Sequence, residues 1–89
     1  MKIIAVCGMG IGTSVLLKMN AEKVLAQMGV EATVEATDMK TAREAKDAEI
    51  ILTTPDLADL IKNSPAKIIT IQHFFDLEEI TNKLSGEFN

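Results

Sequence analysis

Cys7 is the only cysteine in the chain, and glycines at positions 8, 10 and 12 follow it, ahead of the hydroxyl side chains of Thr13 and Ser14. The segment is predicted to join a first strand to a first helix, because an apolar run precedes it and helical spacing follows it. Successive backbone N–H groups in such a turn bind anions, helped by the positive end of the helix dipole. A thiol beside them is expected to have a lowered pKa and to be a nucleophilic thiolate. This combination predicts a cysteine that carries or attacks a phosphoryl group.

Cys7 also has a purely structural interpretation, since buried free cysteines at strand ends are common. Three glycines at alternate positions exceed what a structural turn needs, because one would suffice. The glycine pattern therefore favours a functional thiol.

Other glycine-rich motifs match this segment less well. A dinucleotide-binding G-x-G-x-x-G read from Gly8 places Thr13 at its third glycine, and read from Gly10 it places Val15 there. A Walker A loop would need a Lys-Ser or Lys-Thr pair, which is absent. The sequence therefore argues against both kinds of nucleotide loop, although an anion- or nucleotide-binding regulatory domain stays open as an alternative.

The cysteine phosphatase and arsenate reductase loop, C-x-x-x-x-x-R-[ST], matches in length from Cys7. Thr13 stands where its arginine belongs, with Ser14 in the hydroxyl position that follows. Because that arginine clamps the transferring phosphoryl group, its absence favours a protein that accepts and passes on a phosphoryl group. A low-molecular-weight phosphatase or arsenate reductase is the alternative enzyme class.

Strand and helix patterns alternate along the chain. Strands are predicted at residues 2–6, 30–36, 49–53 and 67–71, and helices at residues 13–28, after Asp38, after Pro55 and after Asp76. This order predicts an α/β fold, an open four-stranded parallel sheet with helices on both faces. Ligands of such sheets bind at the carboxyl ends of the strands. The loops at residues 7–14, 53–56 and 72–75 are therefore predicted to share the functional edge.

Local signals place the ends and faces of the helices. Gly29 is predicted to end the first helix, and Leu60 is predicted to face inward from the third. Asp76 and Glu79 have the spacing of a capping box at the last helix. That helix is predicted to fray at Gly86.

Composition narrows the possible functions. The chain has 89 residues, 47% of them hydrophobic, with three Phe and no Trp or Tyr, so a single domain over residues 1–89 with an aliphatic core is expected. A formal net charge of −4 without basic runs argues against a nucleic-acid partner. Apolar runs are too short for membrane insertion, and one cysteine without a partner suits a cytoplasmic protein. No cofactor and no metal are expected.

Residues 2–14, followed by Leu17-Lys18-Met19, resemble the enzyme IIB component of the bacterial sugar phosphotransferase system. Within that family the ascorbate-type branch is most similar, with the lactose/cellobiose and galactitol types next. Residues 47–54 resemble its third strand and loop, and residues 74–80 its last loop and helix. The resemblance covers essentially the whole chain.

This resemblance implies an enzyme, a phosphotransferase that works through phosphocysteine at Cys7. A phosphohistidine on a IIA protein or domain would be the donor, and a sugar delivered by a membrane IIC transporter, ascorbate-like or galactitol-like, the acceptor. The backbone N–H groups of a P-loop-like segment would hold the phosphoryl oxygens. That segment consists of Gly8, Met9, Gly10, Ile11, Gly12, Thr13 and Ser14. The hydroxyls of Thr13 and Ser14 would assist. A monomer suits a carrier that docks two partners in turn.

The side chains of three residues at the predicted edge have two interpretations each. The apolar Met9 and Ile11 either contact IIA and IIC or pack the loop. His73, the single histidine, is interpreted as an ordinary loop residue, and the alternative is a partner contact or a charge that stabilises phosphocysteine.

Overall fold

A computed structural model of the chain describes residues 1–6, 11–61, 65–73 and 75–88, apart from the side chains of Ile11 and Phe88. In these residues strands and helices alternate in the predicted order. The elements are β1 (Lys2–Ala5), α1 (Ile11–Met28), β2 (Thr33–Ala36), α2 (Met39–Glu44), β3 (Ile50–Thr53), α3 (Pro55–Ala58), β4 (Lys67–Thr70) and α4 (Leu77–Phe88).

The four strands form a parallel sheet in the order β2-β1-β3-β4. Ala5 of β1 lies opposite Ala36 of β2 on one side and Leu52 of β3 on the other. The predicted α/β class, with an open four-stranded parallel sheet and helices on both faces, is confirmed.

Each face of the sheet has its own apolar core, because successive strand residues point to opposite sides. Ile3 and Ala5 of β1 belong to the core under α1 and α4, whereas Ile4 of β1 and the next residue after the strand, Val6, belong to the core under α2 and α3. The first core also includes the predicted buried stripe of α1: Leu17, Ala21, Val24 and Leu25, with Met28 partly buried against them.

Gly29 ends α1 as predicted, with a φ of +73°. Its N–H donates to the carbonyl of Ala26 over 3.2 Å, and the N–H of Val30 donates to that of Leu25 over 3.0 Å. These two bonds form a Schellman motif. They tie Val30 to the helix, so β2 begins at Thr33 and not at the predicted residue 30.

Two local predictions are wrong. Leu60 is 53% exposed, because α3 ends at Ala58 and the chain turns there, with the N–H of Leu60 bonded to the carbonyl of Leu57 over 2.9 Å. The helical spacing that predicted its burial does not continue that far. Gly86 lies inside α4, which runs on to Phe88.

An ion pair shows which way α4 runs. Glu87, near the end of α4, lies 2.8 Å from the Nζ of Lys67, the first residue of β4. The helix therefore starts at the carboxyl edge of the sheet and returns to the amino edge. Among the described helices, none has the length and apolar character needed to cross a membrane.

Candidate functional site at the carboxyl edge

Three strands end side by side at the carboxyl edge. The N–H of Val6 donates to the carbonyl of Leu52 over 2.9 Å, and the N–H of Ile71 donates to that of Thr53 over 2.7 Å. The pairing with β3 thus continues one residue beyond the ends of β1 and β4. After β1 the chain continues into α1 on one face, and after β3 it continues into α3 on the other. Such a divergence between neighbouring strands is where open α/β sheets bind ligands.

The predicted nucleophile, Cys7, and three of the predicted phosphate-binding residues, numbers 8–10, lie outside the described residues. The others form the first turn of α1, which begins at Ile11. Gly12 is exposed, Thr13 is half-buried and Ser14 is 1% exposed. The first N–H groups of any helix have no partner within it, and this turn has no acidic side chain to repel an anion.

Ser14 has a different environment from the rest of that turn. It lies three residues before Leu17 on the buried face of α1, and both residues are almost fully buried. Its hydroxyl is therefore covered by the fold. The exposed side of the turn is formed by Gly12, where an added Cβ would meet no atom within 4 Å.

Thr53 and Thr54 place two buried hydroxyl oxygens at the end of β3. Within the part of the chain that the structure describes, neither hydroxyl has a hydrogen-bond partner. Thr54 precedes the first turn of α3 as its N-cap residue, yet its side chain caps no N–H of that helix. Sequence analysis missed both hydroxyls. The only signal was their position at the end of a strand predicted to reach the functional edge.

The loop between β4 and α4 is held at the same edge by two carboxylates. Asp76 caps α4, since its Oδ1 accepts from the N–H of Glu78 over 3.0 Å and from that of Glu79 over 3.4 Å. The reciprocal bond of the predicted capping box, from the N–H of Asp76 to the carboxylate of Glu79, is not formed. The N–H of Asp76 donates instead to the carbonyl of His73 over 2.9 Å.

Glu79 holds the loop itself. Its carboxylate accepts from the N–H of Gln72 over 2.7 Å and from that of His73 over 2.9 Å, and it lies 3.1 Å from the Nδ1 of His73. Burial raises the pKa of Glu79, but the two backbone N–H donors and His73 outweigh that effect and hold the pKa below its ordinary value. Glu79 is therefore an ionised clamp on the loop.

His73, Asp76 and Glu79 have potential metal-ligand atoms within 4.8 Å of one another. Both carboxylates already accept backbone N–H bonds, and the imidazole packs edge-on against Phe75 with ring centroids 6.0 Å apart. The cluster is thus explained by the folding of the loop. An ordinary loop histidine fits this geometry.

Side chains of Lys and Arg are absent from the sequence of the edge at residues 6–14, 54–56 and 71–76. An anion bound there would depend on backbone N–H groups and hydroxyls. The arrangement suits reversible binding of a phosphoryl group more than the strong clamping that an arginine provides.

Comparisons with known proteins agree with one another. The ascorbate-specific PTS system EIIB component of Mycoplasma pneumoniae is 39% identical over 85 residues, which cover 93% of this chain and 90% of that protein. The lactose-specific IIB domain of the phosphotransferase system of Streptococcus pneumoniae has the same fold, with a TM-score of 0.64, 13% identity and coverage of 99% of this chain and 94% of that chain. An enzyme IIB subunit from Escherichia coli K12 gives a TM-score of 0.59 at 18% identity, with coverage of 98% and 88%.

Residues 2–85 match the family model described as PTS system, lactose/cellobiose specific IIB subunit. The match spans nearly the whole chain and confirms the family indicated by residues 2–14. This chain therefore belongs to the IIB family of sugar phosphotransferase systems, and it is a phosphotransferase that carries a phosphoryl group in sugar transport.

Proposed function

We propose that Cys7 is the residue that becomes phosphorylated. The supporting observation is the position of α1, whose first turn begins at Ile11, four residues after the only cysteine, at the edge where β1 and β3 end. Cys7 follows Val6 directly in the chain, and the N–H of Val6 is bonded to β3 at that edge. We infer the reaction from the family, and we assign the nucleophile to Cys7 because it is the only cysteine in the sequence.

The proposed transfer has two steps. The Cys7 thiolate attacks phosphorus of a phosphohistidine on the IIA partner, so that an S–P bond forms and an N–P bond breaks. A hydroxyl of the sugar then attacks the same phosphorus, forming an O–P bond and losing its proton, and the thiolate is released. Because phosphoryl transfer depends mainly on positioning and charge stabilisation, the protein has little other chemistry to supply.

Backbone N–H groups provide that stabilisation in our proposal. Those of Gly8, Met9, Gly10, Ile11, Gly12, Thr13 and Ser14 hold the phosphoryl oxygens, with the positive end of the α1 dipole behind them. Thr13 is half-buried and the hydroxyl of Ser14 is covered. Thr13 is therefore the better placed of the two hydroxyls to assist at the surface.

Membership of the family implies a IIA donor, a IIC transporter and a sugar substrate. We propose an ascorbate-like sugar, because the curated relative at 39% identity is named ascorbate-specific, whereas the matching family model is named for lactose and cellobiose. We further propose that residues 1–89 act as one cytoplasmic, monomeric IIB domain.

Intact-mass measurement tests this proposal. The protein is incubated with phosphoenolpyruvate, the general phosphotransfer proteins and an ascorbate-type IIA protein, with Cys7→Ser in parallel. We expect one phosphoryl group on the wild type and none on the variant. An unmodified wild type that slowly hydrolyses an aryl phosphate would contradict the proposal and favour a phosphatase.

A further inference from the structure

Two adjacent buried hydroxyls without hydrogen-bond partners are unusual. Burial removes the hydrogen bonds that a hydroxyl makes to water, and this costs free energy unless a bond within the protein replaces them. Thr53 is 0% exposed, and the hydroxyl oxygens of Thr53 and Thr54 both lack a partner within the described residues. Such groups call for an explanation, and at a functional edge a ligand is one.

The two hydroxyls belong to opposite sides of the sheet. Ile51 packs in the core under α2 and α3, and Leu52 packs in the core under α1 and α4. Alternation along the strand places Thr53 on the side of Ile51. Thr54 has extended backbone angles, with φ −83° and ψ 156°, so it continues the alternation and falls on the side of α1.

Thr54 is also available for a role outside its own helix. A threonine at an N-cap position commonly accepts a bond from the second or third N–H of the helix. Here the backbone carbonyl of Thr54 accepts from the N–H of Leu57 over 3.0 Å, and the side chain makes no cap bond. Since the hydroxyl has no partner of either kind within the described residues, its proton is also available to an acceptor.

The place of Thr54 in the sheet narrows the choice of acceptor. The N–H of Val6 donates to the carbonyl of Leu52 over 2.9 Å, and Leu52 is two residues before Thr54. Neighbouring strands lie about 4.8 Å apart. Cys7 is covalently joined to Val6, so their Cα atoms are about 3.8 Å apart. Thr54 thus lies at the junction of β1 and β3, on the side of the sheet where α1 begins.

We propose that the Thr54 hydroxyl donates a hydrogen bond to the anion carried by Cys7, the thiolate before transfer and a phosphoryl oxygen after it. This inference rests on the proposed role of Cys7. It assigns a group that touches the reacting atoms, in an edge whose loops contain no Lys or Arg. A hydrogen bond to a charged group is stronger than one between neutral groups.

Three variants test the proposal: Thr54→Val removes the hydroxyl and keeps the shape, Thr54→Ser keeps the hydroxyl, and Thr53→Val removes the neighbouring hydroxyl on the other face. One readout is the rate of phosphorylation by the phosphorylated IIA protein, followed by intact mass. The other is the rate at which iodoacetamide alkylates the thiol at neutral pH, which follows the thiolate fraction and needs no partner. Circular dichroism confirms that each variant is folded.

We expect Thr54→Val to slow phosphorylation by at least about 10-fold, the lower end of the loss expected for one hydrogen bond to a charged group, and to slow alkylation as well. Thr54→Ser and Thr53→Val should stay within about twofold of the wild type by this reasoning. Unchanged rates in Thr54→Val would overturn the proposal. Equal slowing in Thr54→Ser would also overturn it, since the methyl group and not the hydroxyl would then matter.

The two readouts separate this inference from the role of Cys7 itself. If the wild type is not phosphorylated, the proposed function fails, and alkylation alone then decides whether Thr54 serves the thiolate. If the wild type is phosphorylated and Thr54→Val behaves like it in both assays, the proposed function stands and the assignment of Thr54 is wrong.

Discussion

Replacing Glu79 by alanine should destabilise the protein through the loop between β4 and α4. Glu79 is 17% exposed in its side chain and accepts two backbone hydrogen bonds, from Gln72 over 2.7 Å and from His73 over 2.9 Å. The variant removes both acceptors and leaves the loop without its connection to α4. Asp76 still caps the helix, so the effect reports on the loop.

The size of the loss follows from those two bonds. A hydrogen bond to a charged group contributes about 1.5–3 kcal/mol, but Gln72 and His73 are exposed residues, so water replaces part of what is removed. We therefore expect a loss of about 2 kcal/mol for the pair. For a chain of this size, such a loss lowers Tm by about 10 °C.

Thermal unfolding followed by circular dichroism measures this loss, with Glu78→Ala as the matched control. Glu78 occupies the same first turn of α4 and shares its dipole, but it is exposed. Its replacement should change stability by less than about 0.5 kcal/mol. Equal Tm values for Glu79→Ala and Glu78→Ala would refute the assignment of Glu79 as the clamp.

The pH dependence of the same comparison provides a second test. The pKa of Glu79 in the folded protein lies below its ordinary value of 4.5, so its contribution is fully present above the unfolded-state pKa. That contribution is lost as the pH falls through the folded-state value. The difference between wild type and Glu79→Ala should thus be largest near neutral pH and shrink under acid conditions. A difference that grows on acidification would contradict the reasoning.

Two further predictions concern glycines, and the Cys7 and Thr54 variants complete the set. Gly29→Ala should destabilise the protein by about 1 kcal/mol, because alanine is strained at a φ of +73°. Gly86→Ala, inside α4, should stabilise it by about 0.5–1 kcal/mol. Urea unfolding measures both changes, and destabilisation by both variants would contradict the reasoning. Gly12→Ala should leave Tm unlowered, since its Cβ meets nothing within 4 Å, but should slow phosphorylation by restricting approach of the donor to the first turn of α1. Wild-type transfer by this variant, measured by intact mass, would show that the partner does not approach there.

Hydrophobic spacing was sufficient to predict the class of fold. The continuous apolar residues of β1 pack into cores on both faces, and that arrangement is the reason the run is uninterrupted. The end of α1 could also be predicted from nearby residues, because the N–H groups of Gly29 and Val30 donate to carbonyls of the helix itself. Such features depend on residues close in sequence, so they are readable without the structure.

Other features depend on tertiary contacts. The spacing of Asp76 and Glu79 is the same in a capping box and in the observed clamp, and the choice depends on where the end of β4 lies. Whether the hydroxyl of Thr54 is buried, and whether it finds a partner within the described residues, is decided by the packing around it. Leu60 was placed wrongly because α3 is too short for its periodicity to continue. Sequence patterns carry none of this information.

The ion pair between Lys67 and Glu87 has a practical consequence for experiments on this protein. It shows that the last turn of α4 lies at the amino edge of the sheet. Met1 lies at the same edge, where its carbonyl accepts from the N–H of Thr33. Both ends of the described fold therefore face away from the edge where β1 and β3 finish. A fluorophore, an affinity tag or a surface attachment at either end would leave the carboxyl edge accessible. The protein could therefore be immobilised with that edge exposed to its partners.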